Sequence, residues 1–135
     1  MKVLAVDYGD TRTGIAVSDE SATLVGEAWV ILEKNQKNLA LTISGEATAR
    51  GAGLIVVGYP RNMNGTAGPR AEKSERLVEL LKALCDIEVR LWDERLTTVS
   101  AHRILSDAGK RGKKRKASVD AVAAALILEG YLASC

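Results

Sequence analysis

Hydrophobic positions along the chain fall into short segments of two periods, and their order predicts an alternation of strands and helices. Lys2 to Asp7 is an apolar run that ends on a carboxylate. Tyr8-Gly9-Asp10 then supplies turn residues and Thr13 to Ser18 reads as a second strand, so the two segments form a hairpin. Leu24 to Leu32 continues as a third strand. From Gln36 to Arg50 the spacing becomes helical through Leu39, Ala40, Ile43 and Ala47, with Gly45 as its weak point. Leu54 to Gly58 is short and wholly apolar, as strands buried on both faces are. Tyr59 to Pro69, rich in Gly, Asn and Pro, predicts a loop, and Arg70 to Leu84 an amphipathic helix with Leu77, Leu80, Leu81 and Leu84 inward. Ile87 to Trp92 is the last predicted strand. Two helices are expected after it: Thr97 to Ala108, and one from Ser118 with Val119, Val122, Ala123, Leu126 and Ile127 on its apolar side.

This order, β-β-β-α-β-α-β-α-α, predicts an α/β fold. Three antiparallel strands lead into right-handed βαβ crossovers, giving a mixed five-stranded sheet with helices on both faces. Ligands of such sheets gather beyond the carboxyl ends of parallel strands. Asp7 and the pair Asp93-Glu94 stand at two of those ends. With 135 residues and 47% hydrophobic content, one domain spanning residues 1–135 is expected. Charges interrupt every apolar stretch well short of the roughly 20 residues a membrane helix needs, and the N-terminus lacks a cleavable signal pattern. A cytoplasmic protein with no membrane partner is the expectation. Cys85 and Cys135 have no metal-ligand spacing and are too few for a disulfide framework, so both are expected as thiols.

A net charge of +2 does not by itself announce a nucleic-acid partner, but its distribution changes the picture. Lys110, Arg111, Lys113, Lys114, Arg115 and Lys116 form a self-repelling run broken only by Gly112, which predicts a loop. It directly precedes the helix of Asp120. A carboxylate following apolar residues, as Asp7 does, needs compensation. Either a cation supplies it or Asp7 bonds the backbone of its own turn. Asp93-Glu94 offers oxygen ligands suited to Mg²⁺ or Mn²⁺, or is neutralised by Arg95 as a surface pair. Strand alternation sends only one of the two acids to any given face. Asp120 either joins them or simply complements the helix dipole. Three such carboxylates could hold two divalent ions about 4 Å apart for phosphodiester hydrolysis. His102, mid-helix, is read as structural or surface.

The motifs Asp7-x-Gly9-x-x-Arg12-x-Gly14-x-Ala16-x-Ser18-Asp19, Val57-Gly58-x-Pro60 with Asn62-x-x-Gly65-Thr66, Asp93-Glu94-Arg95-Leu96-Thr97-Thr98 and Asp120-x-x-Ala123-Ala124 follow in that order. Together the chain resembles the YqgF family, also called RuvX, nearly from end to end. The resemblance implies an RNase H-like nuclease that matures the 5′ end of precursor 16S rRNA in ribosome biogenesis. Through the family's likeness to RuvC, it alternatively implies cleavage of four-way DNA junctions. It places Asp7, Asp93 or Glu94, and Asp120 at catalytic positions, with Asp7, Glu94 and Asp120 as ligands of Mg²⁺ or Mn²⁺. One departure stands out: the fourth strand ends in Gly58-Tyr59-Pro60, without the acid a RuvC-type resolvase carries there.

Arg12 and Arg95 either grip backbone phosphates with their forked donors or pair with nearby acids. Gly9 and Gly14 either admit a phosphate or only shape the hairpin. The basic run from Lys110 to Lys116 would track a phosphate backbone. The partner expected is therefore nucleic acid, RNA ahead of branched DNA, bound by a monomer or, for paired cuts, a homodimer. Two other classes stay open: an actin-like ATPase, which would need a second domain, and an RNA-binding assembly factor without turnover.

Overall fold

The computed structural model describes residues 1–59, 68–93 and 119–134, with residues 119 and 120 described in their backbone alone. Five strands form one sheet in the order β3-β2-β1-β4-β5. They are β1 (Lys2–Asp7), β2 (Arg12–Ser18), β3 (Val25–Leu32), β4 (Ala52–Tyr59) and β5 (Glu88–Asp93). Strands β1, β2 and β3 pair antiparallel, and β4 joins β1, and β5 joins β4, in parallel. The described helices are α1 (Gln36–Arg50), α2 (Pro69–Leu84) and α3 (Val119–Ser134). The mixed sheet with helices on both faces is the one expected. The helix predicted from Thr97 to Ala108 lies outside the described residues.

Alternation along β1 builds two cores. Leu4 and Val6 point to one face and pack with Ile15, Ile55, Val57 and Val89 beneath α1 and α2, whose Leu39, Ile43, Leu77 and Leu81 are buried against them. Val3 and Ala5 point to the other, where Ala16, Leu54 and Val56 meet Ala124, Ala125, Ile127 and Leu128 of α3. Leaving either layer exposed would forfeit about 1.5–3 kcal/mol for each large aliphatic side chain. Each parallel crossover runs through α1 or α2, which accounts for both helices sharing a face.

Helix α1 buries Leu39, Ala40, Ile43 and Ala47, the four positions its spacing predicts. The Asn35 side chain caps it by accepting from Asn38 N at 2.9 Å, and Gly51 ends it at φ 72°, a left-handed conformation that costs a residue without Cβ little. Helix α2 starts at Pro69, whose missing N–H would have no partner there in any case. Three expectations are corrected. Strand β4 runs from Ala52 to Tyr59, so Tyr59 belongs to the sheet and not to the following loop. In α2, Leu84 is 38% exposed and Val78 is buried in the core instead. In α3 the buried positions are Ala121, Ala124, Ala125, Ile127, Leu128 and Gly130, whereas Val122, Ala123 and Leu126 are only partly covered. Apolar residues lie nearly all round α3, so spacing did not identify the contact stripe; the stripe is rich in Ala because the helix lies close on the small Ala5 and Ala16.

Candidate active site

Asp7 is the last residue of β1 and half-buried, on the α3 face with Val3 and Ala5. Its antiparallel partner on β2 is Gly14, and Gly58 on β4 stands one place beyond the Val6–Val57 pair. The positions directly opposite this carboxylate on both neighbouring strands are therefore glycines. The register thus sets Gly58, first of the strand-end residues Gly58-Tyr59-Pro60, beside Asp7.

The turn behind Asp7 is held closely. A Cβ on Gly9 would come nearer than 3.0 Å to the carbonyl oxygen of Arg12, so only glycine fits. Of the two roles open to Gly9, hairpin geometry is the one this contact requires. The buried hydroxyl of Thr13 accepts from Gly9 N at 3.3 Å and donates to Gly9 O at 3.4 Å. Two α2 side chains reach the same turn: Arg70 Nη2 donates to Tyr8 O at 3.0 Å, and Lys73 Nζ lies 3.0 Å from Asp10 Oδ1. That hydrogen bond and the two positive charges hold the Asp10 carboxyl below its ordinary 3.8. Neither Arg70 nor Lys73 was found from sequence, since nothing in a helix's own spacing tells which remote turn it meets.

Alternation places Arg12 at the start of β2 on the face of Gly14 and Ala16, the one Asp7 shares, and leaves it exposed to solvent. Asp93 goes the other way. It follows Val89 and Leu91 to the α2 face, where it lines an open groove with Tyr59, Glu75 and Leu91. The structure does not bring Asp93 and Asp7 together. Trp92, which pairs with Gly58 in the row of Asp7, lies on the α3 face edge-on to Tyr131, with centroids 5.7 Å apart, and Tyr131 takes a 3.1 Å bond from Arg90. Asp19, part of the first motif, begins the β2–β3 turn and accepts from Thr23 N and Leu24 N, and these bonds lower its pKa.

Asp7 offers the hard oxygen donor that Mg²⁺ or Mn²⁺ takes, opposite Gly14 of β2. Among the described residues no three His, Cys, Asp or Glu side chains converge. Of the other expected donors, Glu94 lies outside the described residues and Asp120 is described in its backbone alone. Arg95, Lys110, Arg111, Lys113, Lys114, Arg115 and Lys116 also lie outside them.

A family model described as "RuvX: Holliday junction resolvase" matches residues 1–134. The chain belongs to the RuvX family. It is accordingly a nuclease, a hydrolase of phosphodiester bonds. A relative from Ruminiclostridium cellulolyticum named "Putative pre-16S rRNA nuclease" is 42% identical over 133 residues, covering 98% of this chain and 94% of its own. One of the same name from Bacillus cytotoxicus is 42% identical over 136 residues, with 99% of each chain covered. Among solved structures, Thermus thermophilus RuvC in complex with a Holliday junction substrate superposes with a TM-score of 0.68 at 14% identity, over 99% of this chain and 96% of that one. That likeness establishes the RNase H-like fold for this RuvX chain. No helix among its described residues is long and apolar enough to cross a membrane.

Proposed function

We propose that this RuvX protein is a divalent-metal-dependent nuclease that trims the 5′ end of precursor 16S rRNA in the cytoplasm. The observation that carries the substrate is end-to-end identity of 42% with relatives named for that reaction. Asp7, Glu94 and Asp120 hold Mg²⁺ or Mn²⁺; of the adjacent acids Glu94 is preferred because Asp93 faces the α2 groove. When bound, such ions lower the pKa of water and stabilise the departing oxygen of a phosphodiester. Arg12, on the Asp7 face, grips a backbone phosphate through its forked donors. The run from Lys110 to Lys116, with Arg95, extends that grip along the strand in a salt-dependent, sequence-independent way.

The test compares cleavage of a precursor 16S rRNA 5′ segment and of a four-way DNA junction by the parent, Asp7→Asn and Asp93→Asn. Groups that merely orient metal ligands are worth about 10- to 100-fold, so Asp7→Asn is expected to lose at least about 10²-fold, and Asp93→Asn only a few-fold. Full activity in Asp7→Asn would refute the site. Preferential cutting of the junction would transfer the substrate to branched DNA, for which a dimer would be required.

A further inference from the structure

The β1–β2 turn is tied to a helix remote from it in sequence. Arg70 reaches the carbonyl directly after Asp7 across a separation of 62 residues, and Lys73 reaches Asp10 across 63. The two lie three apart near the start of α2 and so share one of its faces. Lys73 is itself anchored to the neighbouring helix, because Gln36 Nε2 of α1 donates to its carbonyl at 2.8 Å. Both partners of the Lys73–Asp10 pair are well exposed, at 46% and 76%. Pairs this open to water contribute little to global stability, so a stabilising role does not account for the arrangement. What it does achieve is geometric. Tyr8 and Asp10 are held from the α2 side while Gly9 and Thr13 close the turn from within. The backbone bearing Asp7 is left with little freedom to follow a ligand or retreat from one.

We propose that Arg70 and Lys73 are positioning residues that clamp the turn behind Asp7 and thereby fix its carboxylate for the divalent ion. This rests on the reading of Asp7 as a metal ligand. A competing role exists for the same side chains, direct grip on RNA phosphates, and the two predict different measurements. A clamp alters metal affinity and turnover; a phosphate ligand alters KM and its salt dependence.

The experiment uses the full chain as Arg70→Ala, Arg70→Lys, Lys73→Met and Asp7→Asn. Mn²⁺ binding is measured by calorimetry, amide hydrogen exchange is followed at Tyr8 to Asp10, and kcat and KM are measured on the rRNA segment. Arg70→Ala is expected to exchange faster at those amides, to bind Mn²⁺ about tenfold more weakly, and to lose kcat with KM unchanged. Its thermal midpoint should hardly move, as for other surface substitutions. Lys73→Met should show the same pattern more weakly, and Arg70→Lys should restore part of the loss. A raised KM beside unchanged Mn²⁺ affinity would overturn the clamp in favour of phosphate binding. So would unchanged exchange at the turn, or full Mn²⁺ affinity in Arg70→Ala beside lost affinity in Asp7→Asn. Full Mn²⁺ binding by Asp7→Asn would instead overturn the metal-ligand reading itself, and with it the clamp's purpose.

Discussion

Replacing Gly9 with Ala tests the link between the hairpin and the site through a single methyl group. The added Cβ would sit nearer than 3.0 Å to the Arg12 carbonyl oxygen, a backbone atom that cannot swing aside as a side chain does. The turn must open. Overpacking of this kind costs about 1–3 kcal/mol, and losing the paired Thr13–Gly9 bonds adds about 1 kcal/mol, so a net loss of about 3 kcal/mol is expected. For a domain of this size that is about 10 °C in Tm. The urea midpoint should fall by about 1–2 M at an ordinary m-value. Activity should fall further than stability, because a displacement of about 1 Å at a catalytic group costs on the order of 10²-fold. The assay is urea unfolding followed by circular dichroism, paired with rRNA cleavage at a temperature where the variant is fully folded. A stability within about 0.5 kcal/mol of the parent, the range of an ordinary surface change, would refute the steric argument.

Overfilling the contact between α3 and the sheet should act similarly on the other side of the site. Ala16 and Ala124 are both fully buried in that contact, and Ala16→Leu is expected to cost about 1–3 kcal/mol by chemical denaturation while depressing cleavage more strongly; an unaffected cleavage rate would refute the close seating of α3. Lys73→Met should raise the Asp10 carboxyl toward its ordinary value, with only the weaker pull of Arg70 left to lower it, followed by NMR titration. Because pairing lowers the folded-state pKa, its contribution is present above the unfolded value and is lost as pH falls through the lower folded one. An Asp10 titration unchanged by the substitution would mean that the pair does not persist in solution.

Asp7 was legible because a carboxylate at the end of an apolar run is a local signal. The buried stripe of α1 was legible for the same reason, resting on neighbours within one or two turns. Spacing was uninformative in α3, where nearly every position is apolar and the sheet's small residues decided which side is covered. The pair Asp93-Glu94 shows the same boundary at the site. Alternation requires that adjacent acids diverge, but not which one goes where; the pairing of Tyr59 with Asp93 and of Val57 with Leu91 turned Asp93 toward α2.

By itself, then, the chain determined the order of its strands and helices and the presence of acids at their ends, since both follow from interactions among near neighbours. Only the tertiary structure decided that Asp93 leaves the face of Asp7, which glycines flank Asp7, and that α2 holds the turn behind it. Those relations depend on strand register and on contacts between residues more than 60 apart, and no local period encodes them.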